Sequence, residues 1–308
     1  MFVRLAALAA TALLATAATD SPPWPQLFDD VRILAADDME GRLVGSPGSA
    51  RARAYLVQRM RAIGLEPAFA TFEQPFAADH DGATLNGVNL VGRIRGSGKS
   101  DRVLLIGAHY DHFGVRDGKV MNGADDNASG VAVLLSIAES FARDRPDHDV
   151  IFALWDAEEQ GLYGAKAFAN APPIPLSRIA LNLNLDMMSR GDRNELWLAG
   201  AHHYPFLRTR FERLVSEAPV TLKLGHDGPP WKGADDWTDG SDHAVFHDKG
   251  IPFAYFGVED YAEYHQPGDD FTAVPLDFFA RSAATALQAA RLFDRELDEI
   301  AREAGRAD

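Results

Sequence analysis

The stretch VLLIGAHYDHFGVRDGKVMNGADDNASG, residues 103 to 130, constrains this chain more than any other. Val103 to Ala108 is a short apolar run, which predicts a buried strand. It ends in His109-Tyr110-Asp111. A loop then passes through Gly123-Ala124-Asp125-Asp126-Asn127 into a helical pattern over about 128 to 143. A buried strand that delivers polar residues past its carboxyl end predicts an open α/β sheet with a ligand at that edge. The delivered groups are an imidazole and several carboxylates. The matching guest is a divalent metal held by nitrogen and oxygen, zinc foremost.

Two further buried strands end in the same way. Val150 to Trp155 runs into Asp156-Ala157-Glu158-Glu159, and Ile179 to Leu185, with Asn182 and Asn184 at alternate positions, runs into Asp186. A lone His or Asp at a strand end is ordinarily a hydrogen-bonded loop residue, and Glu158-Glu159 alone would be a solvated turn. Three such ends together are different, because unpaired carboxylates repel and a cation removes the conflict.

The rest of the chain alternates helices and strands. Helical spacing covers 24 to 37 and 49 to 64, the second with Tyr55, Leu56, Met60 and Ile63 inward, its arginines outward and Gly64 as C-cap. Strands are expected at 66 to 75 and 88 to 95, with a turn at Asn86-Gly87. Later elements are helices at 162 to 170, 204 to 217, 241 to 249 and 275 to 303, and strands at 195 to 199, 220 to 224 and 251 to 256. This order predicts an α/β fold: three αβα layers around a central mixed, largely parallel sheet.

At 308 residues with 46% hydrophobic content, the chain can bury one sizeable core. It has no cysteine, so thiolate metal sites and disulfides are excluded. The formal net charge of -15 argues against nucleic acid or an anionic membrane as partner. Residues 1 to 17 carry Arg4, an apolar run and Ala15-Thr16-Ala17, the pattern of a secretory signal peptide. The apolar run is short for a membrane span. The expectation is an exported protein, periplasmic or extracellular, with a single catalytic domain over 18 to 308.

In order, GAHYDH, GADDNASG, WDAEEQGLYGA, NLDMM, GSDH and YHQPGDD resemble the dizinc aminopeptidase family of the aminopeptidase Y and bacterial leucyl aminopeptidase type. The resemblance spans about residues 30 to 300. It implies two zinc ions per chain and hydrolysis of the N-terminal peptide bond of peptides with a free N-terminus. By that resemblance Asp126 bridges the metals, His109 and Asp186 complete one site, and Glu159 and His265 complete the other. Glu158 is then the general base, and Asp111 the carboxylate that orients His109. The peptide bond after Asp126 is expected to be cis.

Several residues keep two readings. His112 either lines the site or is an exposed loop residue, and Asp242 and His243 either support the site or cap a helix. Asp235-Asp236 is a solvated loop or a cation site, and His202, His203, His226 and His247 read as surface. With no cysteine near GSDH, the loop at 225 to 240 must hold its shape by packing. Trp231, Trp237, Phe253, Tyr255 and Tyr264 are candidates to wall a pocket for an apolar or bulky first residue. The rivals are a single-zinc transferase like glutaminyl cyclases, a carboxypeptidase, and a non-catalytic binding protein on the same scaffold. The bridging motif disfavours the first, the lack of Arg within the metal motifs the second, and the presence of Glu158 the third. A monomer is expected.

Overall fold

The computed structural model describes residues 24–306. The signal-peptide segment therefore lies outside the described residues. The N-terminal part has helices α1 (Trp24–Leu34) and α2 (Pro47–Ile63), then strands β1 (Glu66–Pro67), β2 (Glu73–His80) and β3 (Ala83–Ile94). The centre has β4 (Val103–His109), the small hairpin β5 (Val115–Arg116) and β6 (Lys119–Val120), α3 (Gly130–Arg143), β7 (Asp149–Trp155), α4 (Tyr163–Asn170) and β8 (Ile179–Leu185). The last part has β9 (Glu195–Ala199), α5 (Arg208–Glu217), β10 (Thr221–Leu224), α6 (His243–His247), β11 (Phe253–Gly257), α7 (Leu276–Arg295) and α8 (Leu297–Glu303).

The main sheet runs β1-β3-β7-β4-β8-β11-β9-β10, with β2 paired to β3. Strands β7, β4, β8 and β11 form a parallel central block, and antiparallel pairings join it to β3 on one side and β9 on the other. Apart from the buried Asn182 and Asn184 of β8, the parallel block is largely apolar on both faces, as a sheet covered on both sides requires. In β7, Val150, Phe152 and Leu154 face the core under α1, α2, α3 and α7, while Ile151, Ala153 and Trp155 face α4 and α6. Trp155, Phe168 and Phe246 form an aromatic cluster on that second face, with ring centroids 5.1 to 6.1 Å apart.

The ends of α2 follow from its sequence. The Ser46 hydroxyl accepts from the Ser49 N–H at 3.1 Å, Pro47 follows, and Gly64 closes the helix at φ 88°. Not every arginine of α2 points outward: Arg59 reaches Asp30 of α1 at 2.8 Å and Glu139 of α3 at 2.5 Å, tying three helices together.

Four sequence expectations are corrected. The stretch 66 to 75 is not one strand, and Asn86-Gly87 is not a turn. Residues 73 to 94 form a hairpin that reverses at Asp81-Gly82, where both residues have positive φ. Gly87 lies within β3 opposite Phe76, whose ring occupies the space a Cβ would fill, 2.3 Å away. The C-terminal helix is broken at Glu296 into α7 and α8. The first helix ends at Leu34, three residues before the periodicity suggests.

Candidate metal centre and substrate cavity

The carboxyl ends of β4, β7, β8 and β11 lie side by side, and each leads into residues of one polar cluster. His109 is the last residue of β4, Glu158 and Glu159 follow β7, Asp186 follows β8, and His265 lies in the loop after β11. Asp126 sits in a distorted turn at Ala124–Ser129, before α3, and the Asp126–Asn127 peptide is cis. Ala157, Met187 and His265 all adopt positive φ, uncommon for residues other than glycine. Each either flanks or is one of the clustered residues.

His109 fixes the logic of the cluster. Its Nδ1 lies 3.2 Å from the Asp111 carbonyl, which can only accept, so Nδ1 carries a proton. That leaves Nε2 facing Asp186 Oδ1 at 3.2 Å and Asp126 Oδ1 at 3.3 Å. A lone pair aimed at two carboxylates is repulsive unless a proton or a metal lies between them. In the metal-free chain a proton does this. Burial opposes the charge on His109, but Asp186 and Glu158 hold its pKa well above the usual value. Asp126 shows the reciprocal effect: burial pushes its pKa up, yet His109 and His265 bring it well below the carboxylate range.

A second donor group joins Asp126 to Glu159 and His112. His112 Nδ1 lies 2.5 Å from Glu159 Oε1, and burial lowers the His112 pKa to about 3. His265 approaches the same carboxylates from the cavity side, with Nε2 3.1 Å from Asp126 Oδ2 and 3.8 Å from Glu159 Oε2. His112 is therefore no exposed loop residue. The pKa values of Glu158 and Glu159 are raised well above normal, first by burial and then by neighbouring carboxylates.

Asp111 lies against His109 and also holds the glutamate pair. Its own carbonyl, not its carboxylate, is nearest to His109, since the carboxylate is 3.6 Å from Nδ1. The carboxylate accepts from the backbone N–H groups of Glu158 at 3.0 Å and Glu159 at 3.4 Å, so it fixes the adjacent pair. Asp242 does not cap α6. It is fully buried, both its oxygens lack hydrogen-bond partners among the described residues, and burial raises its pKa. Asp236 caps the turn at Trp237–Asp239, accepting from Thr238.

Two supports carry no role in the sequence reading. Asp269 accepts from the N–H groups of Asp125 and Asp126 at 2.9 and 3.1 Å, holding the turn at Ala124–Ser129 in place. It lies within YHQPGDD, but spacing gives no hint of its partner. Arg42 is fully buried and donates to the carbonyls of Leu34, Tyr110, Asn122 and Gly123 at 2.5 to 2.9 Å. It thus joins the end of α1 to the loop after β4 and to the turn that carries Asp126. Burial lowers its pKa to about 10, against the pull of Asp269, Asp111, Asp126 and Glu159. Ser241 donates to Asp186 Oδ2 at 2.7 Å and accepts from Asn184 at 2.9 Å, which gives the first residue after the glycine of GSDH a place beside the cluster.

The cluster forms one end of a cavity of about 700 Å³. Trp237, Tyr255, Tyr264, Val258 and Met187 supply its apolar surface, and no Lys or Arg is among the described residues lining it. Trp231 and Phe253, also expected as pocket walls, do not line the cavity: Trp231 packs behind Trp237, and Phe253 is buried in β11. Of the four histidines read as surface, only His202 is exposed. His203 lines the cavity, His247 is half-buried and His226 is buried.

This architecture has relatives. Leupeptin-inactivating enzyme 1 of Streptomyces exfoliatus is 31% identical over 269 residues, 84% of this chain and 55% of its own length. Probable zinc metalloproteases such as that of Pyrenophora tritici-repentis are 36% identical over 110 residues, and the match covers 34% of this chain and 25% of theirs. Among solved structures, the zinc aminopeptidase BSAP from Bacillus subtilis superposes with a TM-score of 0.70 at 15% identity, covering 88% of this chain and 95% of that one. Glutaminyl cyclase from Porphyromonas gingivalis gives 0.71 at 16% identity, with 88% and 98% covered. These two likenesses place the fold. The Peptidase family M28 pattern matches residues 89–290, from β3 into α7, and so encloses every clustered residue from His109 to His265. By that match the chain belongs to Peptidase family M28.

Proposed function

We propose that the protein is an exported dizinc aminopeptidase. The observation that carries this is the convergence of His109, Asp126, Glu159, Asp186 and His265 at one end of a cavity, with Glu158 beside them. The donor set fits the metal: nitrogen and carboxylate oxygen only, more acids than bases, and a His109 Nε2 with no neutral partner within reach. His109 and Asp186 would hold one ion, Glu159 and His265 the other, with Asp126 shared between them. His112, buried behind Glu159, would orient that ligand. When bound, the two ions supply Lewis-acid polarisation of the scissile carbonyl and acidify water.

The chain's own residues do the rest. Glu158 takes the proton of the attacking water and delivers it to the leaving amine. Asp111 keeps Glu158 and Glu159 in their separate orientations by holding both backbone N–H groups. The cavity is rich in carboxylates and has no lining Lys or Arg among the described residues, which suits a protonated α-amine better than a C-terminal carboxylate. Trp237, Tyr255 and Tyr264 favour an apolar or bulky first side chain. The single-metal cyclase reading shares the fold, but the second donor group around Glu159 supports two ions. Zinc titration of chelator-treated protein tests the reading: two ions per chain with aminopeptidase activity support it. One ion with cyclisation of N-terminal glutamine overturns it. Mass spectrometry of protein from the medium or periplasm tests export, with a mature start near Ala18 expected.

A further inference from the structure

One wall of the cavity is the segment 225 to 240, which has no helix or strand longer than a single turn. It contributes Gly233, Ala234 and the run from Asp236 to Gly240, with Trp237 as its one large side chain. The chain has no cysteine to brace it. Asp227 ties its start to Gly200 and His202, and His203 meets Thr238, but the brace at Trp237 is centred on an imidazole. His226 is 2% exposed and lies flat between two indoles, with centroids 3.9 Å from Trp231 and 3.8 Å from Trp237, at interplanar angles of 23° and 10°. Its edge meets Trp197 of β9 at 4.5 Å and 87°. Stacked and edge-on contacts of this kind are directional, so they fix ring orientation as well as position.

Hydrogen bonds complete the brace. His226 Nδ1 lies 2.7 Å from the Asp235 carbonyl, which makes that nitrogen the donor. The His226 carbonyl accepts from the Trp237 N–H at 2.6 Å. One residue therefore joins the start of the wall, its middle and its cavity-facing indole to the sheet through Trp197. His243 Nε2, 2.8 Å from the Trp237 carbonyl, holds the other side of the same residue.

We infer that His226 is a positioning residue: by clamping Trp237 it sets the shape of the pocket for the first side chain and so the substrate preference. This rests on the aminopeptidase reading. It assigns His226 no contact with the reacting atoms. Loss of the clamp should weaken binding of large first side chains, leaving the hydrolytic step and small first side chains nearly untouched.

Three variants separate stacking from hydrogen bonding. His226→Ala removes both, His226→Asn keeps a polar group near Asp235 without a ring, and His226→Phe keeps the ring without the bond. With Leu, Phe and Ala p-nitroanilides, the Ala and Asn variants should raise KM for Leu and Phe about tenfold or more while kcat changes less than about twofold. KM for the Ala substrate should hold, zinc content should not change, and His226→Phe should recover the Leu and Phe values. A uniform fall in kcat across substrates, or failure of Phe to do better than Ala, overturns the inference. Limited proteolysis of the same variants reads the wall without substrate. Faster cleavage within 225 to 240 in the Ala and Asn variants, restored in the Phe variant, is expected, and unchanged cleavage overturns the clamp. A wild-type protein inactive on all three substrates overturns the aminopeptidase reading, while the proteolysis result still decides the clamp.

Discussion

Glu158 and Glu159 are adjacent and chemically identical, yet their surroundings differ, and the proposed mechanism gives them different work. Glu159 touches His112 at 2.5 Å and lies in a donor group with Asp126. Glu158 belongs to neither donor group, and its nearest approach to a basic nitrogen is 4.0 Å, to His109 Nε2. Glu158→Gln keeps the side chain's size and the backbone N–H bond to Asp111 but cannot take up a proton. Because no pair closer than 4.0 Å is lost, both metals should stay bound. The loss is then that of a general base, about 10²–10⁴-fold in kcat. At about 1.4 kcal/mol per decade this is roughly 3–5.5 kcal/mol of transition-state stabilisation. KM should move far less, since the base acts in the transition state. Glu159→Gln should instead lose one ion on dialysis and recover activity partly with added zinc. The assay is metal per chain with kcat and KM for both variants. Metal loss from Glu158→Gln, with full retention in an inactive Glu159→Gln, would refute the division of labour.

Arg42→Met should destabilise the fold by about 3 kcal/mol or more in urea titration, because it strands four buried carbonyls that now accept from a cation; a loss under about 1 kcal/mol would contradict the bracing role. Asp269→Asn replaces one of two acceptor oxygens beneath Asp126 with a donor, and zinc affinity in chelator competition should drop about 10–100-fold. Asp156 is a buried carboxylate whose pKa rises to about 7 through burial and the nearby Asp111. Its folded pKa lies above the unfolded value, so the folded state holds a proton that the unfolded chain has lost, and stability falls as pH climbs from about 4 to 7. Asp156→Asn should therefore gain on the wild type in metal-free urea titrations between those limits, and a parallel pH dependence for the two would show the carboxylate is not protonated in the fold.

The strands that matter most were readable because buried parallel strands are apolar on both faces, and β4, β7 and β8 stand out as runs ending abruptly in polar residues. The edges were harder. Phe76 over Gly87 makes a strand from a dipeptide that locally signals a turn, and only the cross-strand pairing reveals it. The converging side chains follow from strand order, since each of four neighbouring parallel strands leads towards the same edge. Their supports do not. Apart from the nearby Leu34 carbonyl, Arg42 and Asp269 act through backbone groups 68 to 144 residues away in sequence, and backbone partners leave no mark on composition or spacing. His226 was read as surface because a histidine in a Gly- and Asp-rich loop carries no periodic signal. Its burial comes from two tryptophans, five and eleven residues on, that close around it.

The central claim is that the cavity acts on a free N-terminus. The most direct test offers zinc-loaded protein a short peptide with a leucine first residue, alongside the same peptide acetylated at its N-terminus, and identifies the first product by mass spectrometry. The account predicts release of free leucine from the first peptide and no cleavage of the second. Removal of the last residue, internal cleavage, or equal turnover of the acetylated peptide would contradict it.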